Sequence, residues 1–220
     1  MWYTLFQSIV RFFAKLYHRL EVTGLEHIPK EGPFLLVGNH ISYLDPFYIA
    51  GFLPRRVSFM AKEESFSHPL TKWFLRKVDA FPVNRDIADV QAIRTALKRL
   101  QQGEVVGIFP EGGRRDADSI QQLKEGAAYL AVRQNVPILP AYIEGSDQAL
   151  PRGGRWIRPA KVCIRFGEPI GVLSQGKPRE RQELLTQAIL DAFRQLADSK
   201  GAGKVSVEIN QQTPYNGAKE

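Results

Sequence analysis

The sequence predicts an α/β fold: a mostly parallel central sheet flanked by helices, preceded by an N-terminal amphipathic helix. Three observations predict it. Short apolar runs alternate with stretches of helical periodicity along residues 34–196. Those runs are apolar almost throughout, the pattern of strands covered on both faces. Residues 1–20 contain neither Gly nor Pro. At 220 residues the chain can bury a full core without metals or disulfides. Its 44% hydrophobic and 24% charged content excludes a disordered chain. A single cysteine, Cys163, excludes an internal disulfide and fits a reducing compartment. The longest apolar runs are too short to predict a transmembrane helix.

The first element is MWYTLFQSIVRFFAKLYHRL. Its polar positions Thr4, Ser8, Arg11, Lys15, His18 and Arg19 recur along one helical face, and a broad aromatic surface occupies the rest. That arrangement suits a helix lying in the plane of a membrane surface. Trp2, Phe6 and Phe13 are expected at the headgroup–acyl boundary, with Arg11 and Lys15 at the phosphates. The same helix can equally pack on its own domain. Arg11 and Lys15 interrupt any secretory h-region, and no small-x-small cleavage site follows, so a signal peptide is not expected.

Strands are expected at Phe34–Val37, Val57–Met60, Ala80–Val83, Glu104–Phe109, Ile138–Ile143 and Lys161–Phe166. Between them, Val90, Ile93, Leu97 and Leu100 make one helical face, ended by Gly103. Leu123, Ala127, Leu130 and Ala131 make a second, leading to Pro137. Leu185, Ile189, Ala192, Phe193 and Leu196 make a third, ended near Gly201. The organisation read from this is an interfacial helix at 1–20, one domain at 21–200 and a polar tail at 201–220.

In such sheets ligands sit at the carboxyl ends of the strands. The loop Gly38-Asn39-His40-Ile41-Ser42-Tyr43-Leu44-Asp45-Pro46 follows the first predicted strand, and Asp45-Pro46 reads as a helix start with Asp45 as cap. Asp45 is then near enough to hold one His40 tautomer and leave the other nitrogen as a base; a loop histidine beside a plain cap is the alternative. Phe109-Pro110-Glu111-Gly112-Gly113-Arg114-Arg115 follows another strand. Gly112 and Gly113 free backbone N–H groups for a ligand or a developing oxyanion, and the arginines offer forked donors suited to phosphate. A tight turn with a surface ion pair is the alternative there. Arg85 and Lys62 are further end-of-strand cations.

The 30 basic against 23 acidic residues, a net +7, favour anionic partners: nucleic acid, acidic lipid headgroups or phosphorylated small molecules. No recognition helix, zinc or RNP-like pattern supports nucleic acid. No G-x-S-x-G elbow supports a hydrolase. The four histidines and the cysteine lack ligand spacing, so no metal is expected. The basic run Arg152, Arg155, Trp156, Arg158, Lys161, Arg165 holds no acid and reads as a second lipid-facing patch or a solvated face.

The blocks Asn39-His40-x4-Asp45-Pro46, Ala61-Lys62 with Glu64, Phe81-Pro82-Val83-Asn84-Arg85, Phe109-Pro110-Glu111-Gly112 and Val136-Pro137-Ile138-Leu139-Pro140 occur in that order. Over about residues 20–170 the chain thereby resembles the glycerolipid acyltransferase family, most closely the bacterial-type 1-acylglycerol-3-phosphate acyltransferases. The resemblance implies a peripheral enzyme on the cytoplasmic face of a membrane bearing anionic lipid. It would move a fatty acyl group from acyl-CoA or acyl carrier protein to 1-acyl-sn-glycerol 3-phosphate, giving phosphatidic acid, without a further cofactor. Another lyso-lipid acceptor is the alternative. The resemblance makes His40 the general base and Asp45 its orienting partner. It assigns Glu111, Arg114 and Arg85 to the acceptor's phosphate end, and Pro137 and Pro140 to shaping a pocket. The family's third block commonly continues Gly-Thr-Arg-Ser; here Gly113 and Arg115 replace the hydroxyl residues. A glycine is usual where Asp79 stands, and an acid there is expected to lie close to Arg85.

Overall fold

The computed structural model describes residues 2–84, 89–111, 123, 125–154 and 156–199. Strands β1 (Glu21–Thr23), β2 (Phe34–Gly38), β3 (Val57–Lys62), β4 (Phe81–Val83), β5 (Val105–Ile108), β6 (Ile138–Glu144) and β7 (Cys163–Phe166) form one sheet in the order β1-β7-β6-β2-β5-β3-β4. Every neighbouring pair is parallel except β6 and β7. β2 through β6 therefore end at one edge of the sheet, the carboxyl edge. The helices are α1 (Trp2–His18), α2 (Asp45–Phe52), α3 (Pro69–Lys77), α4 (Val90–Gln101), α5 (Gly126–Gln134), α6 (Ser146–Ala149) and α7 (Pro178–Asp198).

The six expected strands are β2 to β7. Their continuous apolar character has the predicted cause: side chains alternate between two covered faces. Phe34 and Leu36 of β2 join Ala14, Ile49 and Tyr48 on the α1–α2 side. Leu35 and Val37 join Ala96, Leu130 and Ile189 on the α4–α5–α7 side. The stripe on α4 runs through Ala92, Ala96 and Leu100, while Val90, expected on it, is exposed. β1 carries only Glu-Val-Thr and gives no strand signal. α3 starts on Pro69 with His68 as its cap, the ring accepting from Leu70 N; none of its residues is buried, so it shows no core stripe.

α1 divides into three sectors, not two. Tyr3, Ala14 and His18 are buried against the domain, and Phe6 packs inward against Phe47 and Phe74. Trp2, Leu5, Ile9, Phe12, Phe13 and Leu16 are exposed along a second sector. The wide apolar face read from sequence is thus partly internal. This corrects the placement of Phe6 at a lipid boundary, and Arg11 donates from Nε to Gly51 O at 2.6 Å. Trp2, Phe13 and Lys15 remain exposed.

Asp79 precedes β4 at the amino edge of the sheet, its carboxylate 3.7 Å from Arg56, and the Arg85 expected beside it lies outside the described residues. The Asp79 φ of +58° explains why a glycine suits the position and why Asp, one of the side chains that tolerates the left-handed region, replaces it. Pro137 lies just ahead of β6 at that same amino edge. Pro140 is buried within the sheet opposite Val37.

Candidate active site

β2 ends at Gly38, and the next residue anchors the turn. Asn39 is fully buried and exchanges hydrogen bonds with β6, Nδ2 donating to Ile143 O at 2.8 Å and Oδ1 accepting from Ile143 N at 2.6 Å. His40 follows, with its ring stacked on Phe109 at 4.3 Å between centroids, and Phe109 stacks in turn on Phe59 at 5.4 Å. Room for this column depends on Gly107, where a Cβ would stand 2.4 Å from Phe59.

Asp45 is the first residue of α2, not its cap. Its carboxylate points back over the loop and is fully buried. Oδ2 accepts from His40 Nδ1 at 2.9 Å and from the Ile41 and Ser42 amides at 2.8 Å each. Oδ1 accepts a short hydrogen bond from Ser146 Oγ. Four donors thus converge on one group that can only accept, as a buried carboxylate requires. Nδ1 of His40 must carry its proton toward Asp45, which leaves the Nε2 lone pair as the base.

Ser146 is a residue the sequence reading missed. It opens α6 at the carboxyl end of β6 and is fully buried. Gly145 before it has φ +82°, and a Cβ there would lie 2.1 Å from Lys161 O, so only glycine permits this turn. The expectation that ligands follow strand ends applied to residues 145–146 as much as to 39–45, but Gly-Ser carries no motif of its own.

The predicted set is partly brought together. His40, Asp45 and Glu111 meet, the Glu111 carboxylate accepting from His40 N at 3.4 Å. Glu111 is nearly buried and braces the histidine loop through that contact, while the arginines it was read with lie outside the described residues. Lys62 ends β3 at the same edge, half-exposed, with Nζ 2.9 Å from Glu64. Arg85, Gly112, Gly113 and Arg114 lie outside the described residues, as do Arg115 and Arg155. Asp89 brackets the segment bearing Arg85: its carboxylate accepts from Asn84 N at 2.8 Å and from Ala92 N at 2.9 Å, which holds its pKa below the usual carboxylate value.

The basic run is broken up by the fold. Arg165 pairs with Glu144 at 3.0 Å and Lys161 with Glu21 at 2.9 Å, while Trp156 is 81% exposed. Cys163 is half-buried beside β1; its Sγ lies 3.7 Å from Glu21, and burial pushes the thiol pKa up.

Known proteins resemble the chain in sequence and in fold. A family model described as acyltransferase matches residues 19–144. The 1-acyl-sn-glycerol-3-phosphate acyltransferase of Bacillus subtilis is 31% identical over 180 residues, spanning 80% of this chain and 87% of that protein. The Streptococcus pneumoniae protein of the same name is 31% identical over 141 residues, spanning 63% of this chain and 50% of its own length. The crystal structure of the 1-acyl-sn-glycerophosphate acyltransferase PlsC from Thermotoga maritima matches with a TM-score of 0.75 at 27% identity, covering 92% of this chain and 81% of that one.

Proposed function

The chain belongs to the acyltransferase family, and we propose that it moves a fatty acyl group from a thioester to the free hydroxyl of 1-acyl-sn-glycerol 3-phosphate, giving phosphatidic acid. The observation that carries the reading is the His40–Asp45 pair, 2.9 Å apart at the carboxyl edge of the sheet. The acceptor hydroxyl oxygen attacks the thioester carbonyl carbon as His40 Nε2 takes the hydroxyl proton. The C–O ester bond forms, the C–S bond breaks, and the imidazolium returns its proton to the departing thiolate. Asp45 holds the ring and offsets the charge that develops on it. A thioester is already activated, so no covalent relay is needed. Lys62, Arg85 and Arg114 receive the acceptor phosphate in this reading, with acyl-CoA or acyl carrier protein as donor.

The acceptor is a bilayer lipid, and the protein meets the bilayer from the cytoplasmic face as a monotopic enzyme. No helix among the described residues is long and apolar enough to cross a membrane. The exposed sector of α1 is extended by α3, whose Trp73 packs edge-on against Trp2 at 6.3 Å with Leu70 72% exposed. At its other end Tyr17 reaches Ile157 O at 3.4 Å, next to the exposed Trp156. Lys77 lies over both Trp2 and Trp73, where an ammonium meets lipid phosphate. Gly113 and Arg115 favour one second reading, a lyso-lipid with a substituted headgroup.

Labelled acyl-CoA and acyl carrier protein, offered with a panel of lyso-lipids in mixed micelles, test this. Label is expected in phosphatidic acid, and His40→Ala is expected to lower its formation at least ~100-fold. Near-normal turnover in that variant would sink the mechanism, and label in another lyso-lipid alone would replace the acceptor.

A further inference from the structure

α2 is eight residues long, a length that does not persist as an isolated helix in water. Its first residue is Asp45. Its far end is closed by α1: Gln7 Nε2 donates to Ala50 O at 2.9 Å and to Leu53 O at 2.7 Å, and Arg11 Nε donates to Gly51 O at 2.6 Å. These are carbonyls a helix leaves without internal partners, and a guanidinium there also meets the negative end of the helix dipole. Gly51 lets the two helices approach; a Cβ there would sit 2.5 Å from Val10. Midway along α2, the Tyr48 hydroxyl lies 2.6 Å from His18 Nδ1. α1 therefore grips α2 from its C-terminal turn to its middle, while the N-terminal residue of α2 carries the carboxylate beneath His40.

A rod of eight residues spans only about 12 Å, so a shift at one end reaches the other nearly undiminished. A hydrogen bond of the His40–Asp45 kind weakens over a few tenths of an ångström. We infer that Gln7 and Arg11 are positioning residues for acyl transfer: they fix α2 along its axis from the C-terminal end and so hold Asp45 at its distance from His40. The inference rests on the His40–Asp45 mechanism proposed above and adds two residues of the N-terminal helix whose hydrogen bonds go to the far end of α2 and not to the dyad.

Gln7→Met keeps length and bulk while removing both donors, and Arg11→Met does the same for the guanidinium. Arg11→Lys restores the cation. Ser8→Ala, which removes a hydroxyl bonded to Thr4 O on the same helix, controls for general damage to α1. The full-length proteins would be assayed in mixed micelles at saturating donor and acceptor. kcat is corrected for the folded fraction, and the low-field proton resonance of His40 Nδ1–H is recorded. The double Met variant is expected to lose kcat by about 10- to 50-fold, with both KM values within about twofold of the parent and the resonance shifted or broadened. Arg11→Lys is expected to recover most of what Arg11→Met loses, and Ser8→Ala to match the parent. If the double variant does not fold, Gln7→Met alone is read by the same criteria. A lower Tm with undiminished kcat and an unmoved resonance would overturn the inference. Full turnover in His40→Ala would instead mark failure of the dyad mechanism, a distinguishable result.

Discussion

Ser146→Ala isolates the buried partner of Asp45. The substitution deletes one hydroxyl from a fully buried site and leaves Asp45 Oδ1 without its donor, while Oδ2 keeps three. A hydrogen bond to a charged group contributes ~1.5–3 kcal/mol, and stranding its buried acceptor forfeits that contribution. At ~2–4 °C per kcal/mol for a chain of this size, Tm should fall by about 3–12 °C. The catalytic cost should be smaller than that of Asp45→Asn, because the carboxylate charge and its other three donors remain. Asp45→Asn in such a dyad costs ~10⁴-fold; Ser146→Ala should cost about 5- to 20-fold in kcat, ~1–2 kcal/mol at tenfold per 1.4 kcal/mol. A double-mutant cycle makes the argument strict. If Ser146 acts through Asp45, its effect on kcat should largely vanish in the Asp45→Asn background, a coupling of ~1–2 kcal/mol. The assay is phosphatidic acid formation at saturating substrates alongside thermal unfolding followed by circular dichroism. Additive effects, or a kcat unchanged in Ser146→Ala, would refute the reasoning.

Gly107→Ala places a methyl 2.4 Å from Phe59, so that ring must move, and with it Phe109 and the His40 plane. Overpacking of this kind costs ~1–3 kcal/mol, and kcat should fall while both KM values hold; a lowered Tm with parental kcat would show that the ring column does not orient the histidine. His18 supplies a pH dependence. Burial pushes its pKa below the ordinary histidine value, opposed in part by the Arg158 carbonyl, so the unfolded chain binds the proton more readily. The native state should lose stability as pH falls from about 7 through 6.5, down to the folded pKa, with no histidine contribution to the slope above about 7. His18→Gln should flatten that part of the Tm–pH curve, and an unchanged slope would assign it to other groups.

The sheet was readable in the sequence because burial on both faces writes itself as uninterrupted apolar runs. β1 was not, since three residues at an edge need no such run. α3 was not, because a helix with no buried residue lacks the stripe by which helices are recognised. Within the site, His40 and Asp45 lie five residues apart and share a motif, so chemistry and proximity were visible together. Ser146 joins Asp45 across 101 residues and Gln7 joins Leu53 across 46. Each is a single hydrogen bond whose partner only the folded topology brings near. Asp45 was read as a cap because Asp before Pro usually is one. Instead its carboxylate turns toward the preceding loop, whose amides and imidazole outnumber what its own helix offers. The contact of Glu111 with the His40 amide was not legible either, because it joins residues 71 apart.

The two outer strands of the sheet, β1 and β4, are three residues each. An enzyme held at a bilayer is concentrated in two dimensions, where neighbours meet far more often than in bulk, and an open strand flank is a template for stacking one copy on the next. Here each flank offers little more than one repeat of backbone. β4 spends its middle position on Pro82, which has no N–H to give, and the first residue of β1, Glu21, is paired with Lys161. Among the described residues the sheet therefore presents no long open edge on which one copy could stack on the next, which on the proposed placement at a bilayer would let the protein tolerate a high surface density.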